Sequence, residues 1–252
     1  MKKTFMAMIV LVSALGGADV FAEGATVGAD TAGGDHKFVV GATFGIGMAM
    51  ITGDYETLLA ARHYGGNAED NINAKPKLAL AFNLFFDFYI TPMMAIEAGV
   101  GFIGKGGKAE VDADIIGSDS DGTFWDKVTY FEIPIAFKLN IKGFQASLGI
   151  GMWIAVKGKT KWEEGGLTVT QEWEDDEWDW VRRFNVGPRV FLGYAIPVGP
   201  IYIVPGVTWM MHMINDVDNE EIQDDRPGFP DADEIQVRSM NIMFNVGVEF
   251  GF

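Results

Sequence analysis

With no cysteine and three histidines in 252 residues, this sequence has few ways to build a nucleophile or hold a metal. Disulfides, thiol nucleophiles and thiolate metal sites are excluded. His36 reads as a tail residue, and His63 ends the stretch Leu58-Leu59-Ala60-Ala61-Arg62-His63, whose spacing is helical. His212 is followed by Asp216, but no serine stands near it in the sequence. Covalent catalysis needs a nucleophile beside its base, so no catalytic residues are expected. The acidic run NDVDNEEIQDD at 215–225 lacks the glycine and terminal glutamate of a calcium loop, so neither a metal nor a cofactor is expected.

Two other groups of residues could do work. Asp87, Glu97, Glu132, Lys138, Arg189 and Glu249 are each isolated within an apolar stretch. Buried together they would form an ion network, either a plug or part of a conducting path. The second group is KTKWEEGGLTVTQEWEDDEWDWVRR at 159–183, where Trp162, Trp173, Trp178 and Trp180 stand among carboxylates. Gly165-Gly166 suggests a hairpin with tryptophans packing across it. The aromatic faces could also receive a cationic or carbohydrate extracellular ligand.

The elements that must position these residues repeat with a period of two, which means strands. Alternate apolar positions run through 38–50, 78–90, 94–102, 131–139, 144–156, 184–196, 201–211 and 240–252, and none of those positions is charged. Short turns at Thr91-Pro92, 140–143 and 197–200 alternate with long polar, acidic connections near 52–77, 103–128, 157–183 and 213–236. This plan predicts an all-β chain: an eight-stranded antiparallel transmembrane barrel over 37–252, with short periplasmic turns and long acidic extracellular loops. A water-soluble barrel would need a polar outer face. The second face here is mostly Gly, Ala, Asn and isolated charges, which suits a crowded lumen instead. Lipid then covers the apolar side, and Phe252 falls near the periplasmic interface.

Lys2 and Lys3, the apolar run Phe5 to Leu15 and Val20-Phe21-Ala22 predict a signal peptide at 1–22, followed by a short periplasmic tail at 23–36. The apolar run is too short to span a bilayer. The net charge of −16, which loss of Lys2, Lys3 and Asp19 makes one unit more negative, argues against nucleic acid as a partner. A monomer is expected.

The final stretch, with Asn245, Gly247, Phe250 and Phe252, resembles the C-terminal β-signal of bacterial outer-membrane proteins. That resemblance implies recognition by the barrel-assembly machinery. TYFEIPIAFKLN at 129–140 resembles a strand of the PorT-like group, and the plan is similar to OmpX-, OmpA- and OmpW-type barrels. The resemblance implies residence in the cell outer membrane, with the loops as a surface-interaction site. Pairing through the short turns predicts Lys138 between Asp87 and Glu97. It also predicts Arg189, with glycines around it, crossing toward Glu132 or Glu249. Phe85, Trp153, Phe191, Tyr202 and Met210 face inward by parity and leave open an OmpW-like passage for small hydrophobic molecules; a lipid-modifying enzyme is a further alternative. Pro134, Pro188 and Pro205 lie within strands, where bulges or strand ends are expected.

Overall fold

Alternating side chains commit most of this chain to strands, and the computed structural model describes residues 37–64, 72–113, 121–174, 181–217 and 235–251. The predicted signal peptide and tail, His36, Trp178, Trp180, Phe252 and residues 218–225 of the acidic run lie outside the described residues. The strands are β1 (Phe38–Gly53), β2 (Ile72–Lys75), β3 (Lys77–Thr91), β4 (Met94–Lys105), β5 (Lys108–Val111), β6 (Gly122–Ile141), β7 (Phe144–Glu164), β8 (Leu167–Glu172), β9 (Phe184–Tyr194), β10 (Ile196–Val198), β11 (Ile201–Met211) and β12 (Val237–Gly251), with one helix, α1 (Tyr55–Tyr64).

Eight of these strands form a closed antiparallel ring in the order β1-β3-β4-β6-β7-β9-β11-β12, and β12 returns to β1. Closure pairs each ring strand on both sides and leaves the ring no open edge, the condition for crossing lipid with strands. Among the described residues no helix is long and apolar enough to cross a membrane. The apolar positions point outward: Phe44, Leu78, Leu84, Ile135, Leu148 and Val246 are all exposed. Phe38 stacks beside Phe86 and Phe88 at the short-turn end, where Phe144, Tyr194 and Phe250 are also exposed, forming an aromatic girdle.

The long connections carry more order than eight strands alone would need. β6 and β7 run to 20 and 21 residues, well above the band of outward apolar side chains. β2 and β5 add to the β6 side of this extension and β8 to the β7 side. Gly165 and Gly166, with φ of 54° and 84°, turn the β7–β8 hairpin as the glycine pair predicts. Helix α1 lies over the mouth, burying Tyr55, Leu58 and Leu59 against Ile72, Ala109, Val111 and Phe124.

The prolines correct one expectation. No register shift occurs at Pro134, Pro188 or Pro205; the shifts fall at Tyr89/Thr91 and Thr129/Tyr130. Pro134 sits in a two-residue gap of the β4–β6 ladder while remaining paired to Gly151. Pro188 and Pro205 lie just beyond the two ends of the β9–β11 ladder. Each missing N–H therefore faces the interrupted side.

Candidate functional site

The inward face is divided into two buried layers. Asp87 pairs across from Glu97 on β3 and β4, and Ala95 on β4 pairs with Lys138 on β6, so all three groups enter the periplasmic half. Lys138 Nζ donates to Asp87 Oδ2 and to Glu249 Oε1, both at 2.7 Å, and lies 3.9 Å from Glu97 Oε2. The predicted neighbour Glu97 is thus the most distant of its three carboxylates. Arg189 Nη1 donates to Glu97 Oε1 at 3.1 Å, and its Nε lies 3.4 Å from Glu132 Oε1 without the alignment of a hydrogen bond. Arg189 therefore crosses to Glu97 and Glu132, and not to Glu249. Gln145 Nε2 donates to Glu249 Oε2 at 2.9 Å.

All six ionisable residues are buried, and Asp87, Glu132, Lys138 and Glu249 are at most 1% exposed. Ions so withdrawn from water persist only when paired and hydrogen-bonded. The space left beside them is about 20 Å³, lined by Asn83, Glu97, Lys138, Gln145, Arg189 and Glu249 among others. That is room for about one water.

The glycines serve a different purpose from the predicted one. A Cβ on Gly151 would lie 2.3 Å from the Trp153 ring, and one on Gly206 2.4 Å from the Phe191 ring. They clear space for aromatic rings. Beside Arg189, a Cβ on Gly149 would meet Ala136 Cα at 2.4 Å, so this glycine serves close approach of neighbouring strands.

The sequence marks His212, Asp216, Trp153 and Met210 of the upper layer, but not Lys105, Asn185 or Ser239. Lys105, which falls at the end of β4 inside an apparent loop, is fully buried, with its Nζ 3.6 Å above the Trp153 ring. It donates to His212 Nε2 at 2.6 Å. His212 Nδ1 bonds Asp216 Oδ1, which also accepts from Asn185 Nδ2 at 2.8 Å; Ser239 Oγ donates to Asp216 Oδ2 at 2.6 Å. Ser239 is distant in sequence and approaches only through strand pairing of β12. The parity of Lys105 within β4 was the one available signal. Trp153, Met210, Tyr130, Ile103 and Met243 pack around this layer, filling the lumen with apolar atoms.

The loop tryptophans divide. Trp173 is 9% exposed and donates to Thr160 Oγ1 at 2.8 Å, so it packs into the plug and offers no open platform. Trp162 is half-buried against Phe124. Leu167 and Val169 on β8 are 75% and 61% exposed instead. Lys157 bonds Glu172 at 2.6 Å and holds its carboxyl below the usual carboxylate range. Slight burial opposes ionisation of Glu110, but Lys108 and Lys75 outweigh it and keep that carboxyl low as well. Of the β-signal residues, Asn245 and Gly247 pair with Gly45 and Thr43, and Phe250 with Val40, so this stretch closes the ring.

Residues 22–200 match the model of a family described as the outer membrane protein beta-barrel domain. No curated protein matches this chain. Among solved structures, the chain is similar to Ail, the attachment invasion locus protein of Yersinia pestis, in complex with the heparin analogue sucrose octasulfate. That match has 12% identity, a TM-score of 0.39, and covers 85% of this chain and 99% of that one. It is also similar to the outer membrane protein OprG from Pseudomonas aeruginosa, at 12% identity and a TM-score of 0.41, covering 86% and 97%. A third match is the outer membrane protease OmpT from Escherichia coli, at 9% identity and a TM-score of 0.40, covering 85% and 97%. With the family model spanning most of the sequence and the eight-strand ring carrying its apolar face outward, the chain belongs to the outer membrane protein beta-barrel domain family and resides in the cell outer membrane.

Proposed function

We propose that this protein is a monomeric, closed-lumen barrel that acts through its extracellular surface, with the β6–β8 extension and its acidic loops receiving a partner. The observation that carries this reading is the pair of buried layers. The Lys138–Arg189 ion network fills the periplasmic half and the Lys105–Trp153–His212 layer fills the half above it. Lys138 is held by three carboxylates and Arg189 by two, which opposes their displacement by a permeating ion; of the inward apolar side chains, Trp153 and Met210 pack into one cluster and Phe191 and Tyr202 into another. At the surface, by contrast, Leu167 and Val169 are exposed, and among the described residues no strand pairs with the outer edge of β8. Exposed strand edges of this kind are ready to accept contacts.

A catalytic role gains no support from the histidine site. His212 Nε2 faces Lys105, and the nearby Ser239 hydroxyl is committed to Asp216, so this serine is not placed for the imidazole to activate it. Planar-bilayer recordings of the purified protein should show no steady ohmic openings. Cells displaying the protein should bind a cationic or carbohydrate partner and lose that binding when Trp162, Trp178 and Trp180 are changed to alanine. Steady openings abolished by Arg189→Ala would replace this reading with that of a pore.

A further inference from the structure

The lower layer of the lumen has more negative charge and more acceptor oxygens than its own donors satisfy. Among the described residues, the cations that Asp87, Glu97, Glu132 and Glu249 face there are Lys138 and Arg189. Two further cations, Lys105 and Lys77, are turned to His212 and to the backbone carbonyls of Lys105 and Asp126 in the layer above. Two neutral oxygens add to the imbalance. Gln145 is fully buried; an ionised Glu249 can only accept and so fixes the Gln145 amide with Nε2 toward itself, leaving Oε1 without a partner. Asn83 is 5% exposed, and its Oδ1 also has no partner. Both residues line the same 20 Å³ space as Glu97 and Glu249. A buried acceptor left unpaired is costly, and an uncompensated buried charge more so.

We propose that this space binds one alkali-metal cation of sodium size, held by Asn83 Oδ1, Gln145 Oε1 and the carboxylates of Glu97 and Glu249. An all-oxygen donor set selects a hard cation over a transition metal. The room is that of about one water, and calcium asks for six to eight oxygens. The ammonium of Lys138 and the guanidinium of Arg189 share the wall and repel a double charge more than a single one. Among the described residues no group of three or more His, Asp or Glu side chains could hold a metal ion; the site proposed here joins two carboxylates to two amide oxygens. The inference concerns the lumen and stands apart from any role of the loops.

The test uses the full protein folded in detergent micelles, with choline chloride replacing sodium chloride at constant ionic strength and constant pH. Thermal unfolding, followed by the heat-shifted electrophoretic mobility of the barrel, should move upward with sodium and saturate. Sodium-23 relaxation should report an exchanging bound population. Asn83→Leu and Gln145→Leu, each verified as folded by the same mobility shift, should lose the saturable response. The proposal is overturned if choline gives the same shift, if the folded variants respond as the parent does, or if unfolding follows pH and is indifferent to sodium, since protons would then supply the missing charge.

Discussion

At the scale of single residues, Lys138 carries the largest electrostatic burden. Its ammonium joins β6 to Asp87 on β3 and Glu249 on β12, bridging strands on separate parts of the ring. Lys138→Met would keep the stem and remove the charge, stranding those carboxylates in the lumen. Loss of one partner of a buried ion pair costs about 3–5 kcal/mol. Denaturant titration of the variant in micelles should show a loss of that order. At the surface, Lys157 depresses the Glu172 carboxyl. A lowered folded-state value means that the ion pair contributes above the ordinary carboxylate range and is lost as pH falls through the lowered value. An NMR titration of Glu172 should give a midpoint below that of a free glutamate, and Lys157→Met should return it upward.

At the scale of elements, the outward faces of the eight ring strands and the upper halves of β6 and β7 obey different constraints. Leu84, near the middle of β3 and exposed to lipid, tolerates no charge. Leu84→Arg should lower stability by about 2–4 kcal/mol, as expected at a bilayer midplane, in a folding assay from urea into lipid vesicles. The β7–β8 tip lies beyond that band, and a Cβ on Gly166 would meet open space. Replacing residues 163–168 with a two-residue turn should leave the heat-shifted mobility of the barrel unchanged while abolishing partner binding on cells. Gly158 lies between these regimes, since a Cβ there would meet the Trp173 ring at 2.1 Å. Gly158→Val should push the ring from the plug and raise protease susceptibility in the loops, measured by limited digestion of folded protein.

At the scale of the whole molecule, the barrel is stapled internally by charge and covered externally by lipid. Helix α1 and the β2–β5 pair add a small apolar core above the mouth, which shields the upper layer from water. A cavity of about 50 Å³ remains beneath this cap, bounded by Tyr55, Asp126, Trp173, Asp216 and Ser239. The buried ion pairs bridge strands across the lumen, and the extension of β6, β7 and β8 lies beyond the band of outward apolar side chains. Vesicles containing the folded protein should therefore retain small saccharides in a swelling assay, with leakage no greater than that of protein-free vesicles.

Alternation alone determined the eight ring strands, the face each turns to lipid, and the residence of the isolated charges in the lumen. A strand's side chains must alternate, and a charge facing hydrocarbon is strongly unfavourable, so both facts are written locally. Depth within the lumen followed only for residues a few positions from a short turn: Asp87 and Glu97 flank the turn at 91–92 and Lys138 precedes the one at 140–143, so the three could be placed together, but Glu249 reaches Lys138 through ring closure between β1 and β12. Tertiary structure alone decided that Arg189 meets Glu97 and Glu132, that Lys105 rests on Trp153 beside His212, and that Trp173 is buried while Leu167 and Val169 are not. Those outcomes depend on the stagger between strands distant in sequence and on how far β6 and β7 extend above the membrane. A period of two specifies a face, but carries no information about height along the barrel.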